Sequence, residues 1–137
     1  MKRFSEKVFV TMVPPNDEDG RSDHQRLLQA LEEEGFGNVR LPLHMLRRLH
    51  QVCKTGSYCL TASLVFTRDG WTAAALEAGD TCSHHYGLAV DYGSTTIVAQ
   101  LIDMNSGSII AQSSIRNGQR RYGTDILTRI TYTLEED

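Results

Sequence analysis

The apolar positions of this chain change their period several times, and each change predicts an element. Lys7 to Val13 reads KVFVTMV, a β-branched run stopped by Pro14-Pro15. It predicts a strand with Val8, Val10 and Met12 on one face and Phe9 and Val13 on the other. Asn16 to Arg21 is polar, contains Gly20 and reads as a loop. Ser22 then opens a helix: its hydroxyl can cap the free amides of the first turn, and Gln25 completes a capping box. Leu27, Leu28 and Leu31 form the apolar stripe, Gly35 the stop, and Glu32-Glu33-Glu34 a solvated face. A second helix is expected from Pro42, with Met45, Leu46, Leu49, Val52 and Cys53 at helical spacing and Gly56 at its end. Its outer face, Arg47, Arg48, His50 and Lys54, is basic. Tyr58 to Phe66 alternates, with Leu60, Ala62, Leu64 and Phe66 on one side and Thr61 and Ser63 on the other. Asp69-Gly70 is a hairpin signal, because both positions can take positive φ, and Trp71 to Leu76 is the return strand.

Apolar content falls in Ala78 to Tyr86 (AGDTCSHHY), which marks a boundary. Beyond it, residues 87–91 (GLAVD), Thr95 to Asp103 and Ser108 to Ser114 predict three strands, with turns at Gly93-Ser94 and Asn105-Ser106-Gly107. Asn117 to Gly123 reads as a polar loop. Thr124 is expected to cap a final helix, with Asp125 in its first turn and Ile126, Leu127, Ile130 and Leu134 on its buried face. The fold class is therefore α+β. A small β-α-α-β-β domain over 1–80 and a linker over 81–86 precede a second unit over 87–137. About fifty residues make an independent core marginal. Three strands and one helix cover one sheet face at best. The second unit, stopping at Glu135-Glu136-Asp137 without a terminating loop, reads as the opening of a larger domain. Packing on the first unit or homodimer formation would cover it.

With 40% hydrophobic and 23% charged residues among 137, a packed core is feasible and wholesale disorder excluded. Fourteen Lys+Arg against seventeen Asp+Glu give a net charge of −3, which does not fit a general nucleic-acid binder. No apolar run approaches the roughly 20 residues that span a bilayer, and Met1-Lys2-Arg3-Phe4-Ser5-Glu6 lacks a signal peptide's apolar stretch. Cys53, Cys59 and Cys82 are odd in number and show no CxxC spacing, which points to a reducing, cytoplasmic setting.

The stretch that carries chemistry is Ala89-Val90-Asp91-Tyr92-Gly93-Ser94-Thr95-Thr96. An apolar strand ends in a carboxylate, and a glycine turn with three hydroxyl residues follows. Gly93 lets the backbone approach an anion, and the turn amides with the Ser94, Thr95 and Thr96 hydroxyls can donate to phosphate oxygens. Asp91 can hold a hydrated Mg²⁺. The same residues also suit an Asp-capped β-hairpin with threonines of high strand propensity, and local chemistry leaves both readings open. Cys82, His84 and His85 are three metal-ligand types within four residues, too close to complete a tetrahedral site by themselves. Arg116, Arg120 and Arg121 flank the 117–123 loop and can face phosphate, a protein partner or solvent.

The order strand, Asp-x-Gly-Ser-Thr-Thr, strand, Asp-x-x-x-Gly turn, strand, Gly-x-Asp helix resembles the first phosphate loop of the actin-like ATPase superfamily. Within it, the chain is most similar to the reductive activators of corrinoid proteins. Residues 87–103 (GLAVDYGSTTIVAQLID) and the run from Asn117-Gly118-Gln119 through Tyr122-Gly123-Thr124-Asp125 to Ile130 carry the likeness. Upstream, Ser22-Asp23, the Asp69-Gly70 hairpin and Glu77-Ala78-Gly79-Asp80 follow the order of that family's middle domain. The resemblance implies that 87–137 opens a ribonuclease-H-like, actin-like ATPase lobe. It also implies an ATP-dependent return of cobalt(II) corrinoid to cobalt(I) in methyl-transfer metabolism, with a corrinoid protein as partner. Asp91 would organise Mg²⁺ and water as the catalytic and metal residue. Gly93, Ser94, Thr95 and Thr96 would cradle the β/γ-phosphates of ATP, and Asp125 would help line the site. No ferredoxin-type cysteine pattern is present, so the resemblance puts the iron–sulfur cluster in a domain absent here. It puts the second phosphate loop and adenosine pocket beyond Asp137. The chain alone is then expected to bind ATP weakly or not at all, without turnover. Two other classes stand beside this one: a non-catalytic interaction module, and a fragment of another actin-like kinase or activator.

Overall fold

The first alternating run forms β1, Ser5–Thr11, in a computed structural model that describes residues 4–135. Glu136 and Asp137, on which the cut-off expectation rests, lie outside the described residues. The strand starts two residues earlier than expected and ends before the prolines. Val8, Val10 and Met12 are buried and Val13 is exposed. Met12 still donates its amide to the Tyr58 carbonyl at 2.8 Å, so the buried face continues past the strand.

Helix α1, Asp23–Glu33, begins with the expected reciprocal box between Ser22 and Gln25. It ends in a Schellman motif: Phe36 N–H reaches Leu31 O at 2.8 Å, Gly35 N–H reaches Glu32 O at 2.9 Å, and Gly35 takes φ 90°. Helix α2, Leu43–Thr55, buries Met45, Leu49 and Cys53 but leaves Leu46 exposed. It ends at Gly56 as expected, though not through a positive φ. That residue keeps φ −88°, while Ser57 and Tyr58 adopt 52° and 61°. Glycine is needed because a Cβ would come within 2.0 Å of the Cys59 carbonyl oxygen.

Strands β2, Cys59–Thr67, and β3, Gly70–Ala78, complete an antiparallel sheet of order β1-β2-β3. Gly70 alone of the Asp69-Gly70 pair takes positive φ, at 97°. Leu60, Ala62 and Leu64 are buried as expected, but Phe66 is 44% exposed and meets Trp71 edge-on at 5.2 Å. Thr61, on the opposite face of the strand as expected, is also fully buried. Its hydroxyl donates to Gly79 O at 2.7 Å and accepts from Thr81 N at 2.9 Å. Helix α1 lies against β1, and α2 against β2 and β3, closing the core on one sheet face.

Thr81 to His85, all but the last residue of the expected 81–86 linker, is bound to this first sheet. Lys7 Nζ lies 2.5 Å from Glu77 Oε2 and donates to Thr81 Oγ1 at 3.0 Å; the Cys82 thiol donates to Lys7 O at 3.6 Å, and Ser5 Oγ meets His85 Nε2 at 3.0 Å. The first compact unit accordingly runs to His85 and the second begins at Tyr86.

The second unit is another antiparallel sheet: β4, Tyr86–Tyr92; β5, Thr96–Asp103; β6, Ser108–Arg116. Leu88 opposes Leu101, Val90 opposes Ala99, and Tyr92, Ile97 and Ile115 stand in one row, so one face is apolar. The other carries Ala89, Gln100 and Gln112, then Asp91, Val98 and Ser114. The expected loop after β6 is a 3₁₀ turn, Gly118–Tyr122, and α3 follows at Ile126–Glu135. Asp125, not Thr124, caps α3: its Oδ1 accepts from Thr128 N at 2.9 Å, and Thr128 Oγ1 accepts from Asp125 N at 3.3 Å. The expected buried face of α3 is not buried. Ile126, Leu127, Ile130 and Leu134 are all exposed, because within this unit the helix lies against the 3₁₀ turn rather than across the sheet.

Candidate functional site

The β4–β5 hairpin brings the expected site residues to one end of the second sheet. Asp91 is the next-to-last residue of β4, opposite Val98 of β5, and is exposed. An open groove of about 350 Å³ runs beside it, lined by Ala89, Val90, Asp91, Val98 and Gln100. Gly93 N–H donates to Thr96 O at 3.1 Å and closes the hairpin around Ser94 and Thr95. Gly93 has a reason of its own here: a Cβ would stand 2.6 Å from the Thr96 carbonyl oxygen. The glycine therefore lets the two strands converge, whether or not an anion approaches.

Among the described residues, the hydroxyls of Ser94, Thr95 and Thr96 hydrogen-bond to no other protein group. Three hydroxyls free to donate, beside a carboxylate that faces water, form a donor set suited to phosphate with a hydrated Mg²⁺. Asp91 does not converge with two further carboxylates, histidines or cysteines; no such group of three occurs among the described residues. A cation here would keep most of its waters.

Asp125, the remaining expected site residue, spends its carboxylate on the α3 cap. The Thr128 amide holds its pKa below the ordinary carboxylate value. Cys82, His84 and His85 do not gather: Cys82 donates to Lys7 O, and His85 is buried against Ser5. Burial pushes the Cys82 thiol up, and the Cys53 thiol up to about 11, so neither is an activated nucleophile.

Two residues that sequence reasoning left without a role attach to the hairpin. Asn117, 2% exposed, donates from Nδ2 to Gly93 O at 3.0 Å and from its backbone to Thr95 O at 2.9 Å. Arg129 donates from Nη2 to Ser94 O. The signal available was Asn117 following a β-strand and preceding Gly118, a pattern that reads equally as a turn.

The comparisons agree on one family. The description "RACo linker region" matches residues 1–83 and "RACo middle region" matches residues 86–137. The part expected to be a middle domain is thus that family's linker region, and the part expected to open the ATPase lobe is its middle region. The corrinoid activation enzyme RamQ of Eubacterium limosum is 42% identical over 50 residues, which are 36% of this chain and 8% of that protein. A solved structure, a reductive activator for corrinoid, iron-sulfur protein, superposes with a TM-score of 0.81 at 27% identity. It covers 98% of this chain, while the chain spans 21% of it.

Proposed function

The chain belongs to the RACo family, and on that premise we propose that it is the phosphate-gripping part of an ATP-dependent activator of corrinoid proteins. The observation that carries this reading is the β4–β5 hairpin, whose three unpartnered hydroxyls stand beside exposed Asp91. Ser94, Thr95 and Thr96 would donate to the β/γ-phosphate oxygens of ATP. Mg²⁺, held by Asp91 through water, would neutralise the phosphate charge. The second unit, residues 86–137, would be the opening three strands and helix of a ribonuclease-H-like lobe, with the adenosine pocket supplied by other parts of the parent protein. The parent's activity would be a one-electron reduction of cobalt(II) to cobalt(I) on a corrinoid protein. The electron would come from an iron–sulfur cluster in a separate domain, and ATP would drive the uphill transfer.

Calorimetric titration of Mg·ATP into this chain and into Asp91→Asn tests the hairpin. Binding that is lost in the variant supports the reading. Binding unchanged by Asp91→Asn rejects Asp91 as the metal-organising residue. No helix among the described residues is long and apolar enough to cross a membrane.

A second reading has its own observation. Leu88 at 68% exposure, Leu127 at 76%, and exposed Val90, Ile115 and Leu134 give the second unit an apolar surface fit for protein contact. On this reading the chain docks a partner or a second copy without nucleotide. Association that proceeds identically with and without Mg·ATP would favour it.

A further inference from the structure

We propose that Asn117 and Arg129 are positioning residues that hold the β4–β5 turn in an anion-receiving conformation; the anion role rests on the phosphate reading above. The argument starts from burial. Among the described residues of the second unit, Asn117 is the single buried side chain, and it is polar. A buried amide is tolerated where its groups are bonded, and here all of them are. Nδ2 donates to Gly93 O at 3.0 Å, the backbone N–H to Thr95 O at 2.9 Å, and Oδ1 accepts from Gln119 N at 2.9 Å.

Arg129 supplies the missing grip. Its Nη2 donates to Ser94 O, its Nε to Gly123 O at 3.0 Å, and its Nη1 to Gln119 Oε1 at 3.3 Å. Three consecutive carbonyls, Gly93, Ser94 and Thr95, are therefore held by one clamp, and Gln119 ties its two halves together. A trans peptide places its N–H opposite its C=O, and none of the peptides here is cis. With the Gly93 and Ser94 carbonyls fastened to the clamp, the amide hydrogens of Ser94 and Thr95 point away from it. Successive amides turned to one side form a concavity of positive partial charge, which takes phosphate or another tetrahedral oxyanion. A hairpin needs no such external fastening to close; a pre-set donor array does.

The test uses this chain and two substitutions. Asn117→Asp keeps the shape and the Oδ1 acceptor but removes the Nδ2 donor. Arg129→Lys keeps the charge but removes the fork. Backbone order parameters of residues 94–96 are measured by NMR, and amide shifts are followed on titration with inorganic phosphate and with Mg·ATP. The expected wild-type loop is rigid, with order parameters of about 0.85, falling below about 0.6 in the variants. Loss of one buried hydrogen bond is expected to weaken the phosphate response roughly tenfold. If both variants keep a rigid loop and an undiminished response, the clamp is overturned while the phosphate reading stands. A rigid wild-type loop that responds to neither probe overturns the anion role of this turn; the phosphate reading of the parent protein, whose adenosine pocket lies elsewhere, is a separate outcome. Should Asn117→Asp unfold the second unit, seen as collapse of its shift dispersion alone, Arg129→Lys decides.

Discussion

Each half of the chain carries a three-stranded antiparallel sheet, but the halves are held together by different means. In the first, α1 and α2 close over one sheet face, and every buried hydrophobic residue among those described lies there, from Val8 to Leu76. In the second, no described hydrophobic residue is buried, and the best-covered side chain is Asn117. Dispersion and apolar burial order the first unit. Backbone ladders and a polar clamp order the second. The difference shows that a regular sheet does not by itself make a core. A face must also be covered, and α3 covers neither face of the second sheet.

The largest expected effect exploits that contrast. Leu60→Ala, in the fully buried centre of β2, should cost about 2–5 kcal/mol in chemical denaturation followed by Trp71 fluorescence. Leu127→Ala, the corresponding truncation in the second unit, should stay within about 0.5 kcal/mol by the same denaturant applied to far-ultraviolet circular dichroism. A cost above 2 kcal/mol at Leu127 would mean that its face is covered in solution, and sedimentation would then show the dimer or larger assembly responsible.

Gly56→Ala comes next. The methyl would strike the Cys59 carbonyl, so a loss of about 1–3 kcal/mol is expected, although φ there is ordinary. A neutral result would show that the α2–β2 connection can give way. Ser22→Ala should cost about 1 kcal/mol through loss of the capping box, measured as a lower denaturation midpoint at unchanged slope.

The smallest effect is one of pH. The Lys7 ammonium holds the Glu77 carboxyl below its ordinary value of 4.5. A depressed folded value means stabilisation that is complete above the ordinary value and is lost as pH falls through the lower folded one. The first unit should therefore weaken on acidification below 4.5, and Glu77→Gln should flatten that slope. An unchanged slope in Glu77→Gln would show that the Lys7 pair adds nothing to the attachment of the 81–85 strap.

Much of this molecule was legible because local rules and tertiary structure agree. The Ser22–Gln25 box, the Gly35 stop, the Leu60-Ala62-Leu64 alternation and the three strands after Tyr86 all appear where their patterns put them. The hairpin residues Asp91, Gly93, Ser94, Thr95 and Thr96 also stand together, since they are neighbours in sequence and need only one turn. Agreement ended where a residue's role depends on something distant. Gly56 was legible as a stop, but its reason is a carbonyl three residues on. Alternation put Thr61 on the face opposite Leu60 and Ala62 without saying what covers it, and the chain returns to do so at Gly79 and Thr81. Ile126, Leu127, Ile130 and Leu134 have the spacing of a buried face, but spacing states only that a face exists, not that anything lies on it.

By itself the sequence determined the element order, the two-sheet α+β class, the candidate phosphate turn and the likeness to corrinoid activators. All of these depend on short-range periodicity, caps and motif order. Tertiary structure alone decided that the 81–85 segment is bound to the first sheet, that the second sheet is left uncovered, and that Asn117 and Arg129 fasten the carbonyls of residues 93–95. The physical reason is the same in each case: these are hydrogen bonds and packing between residues 22 to 80 positions apart, where neither partner's local sequence carries a trace of the other.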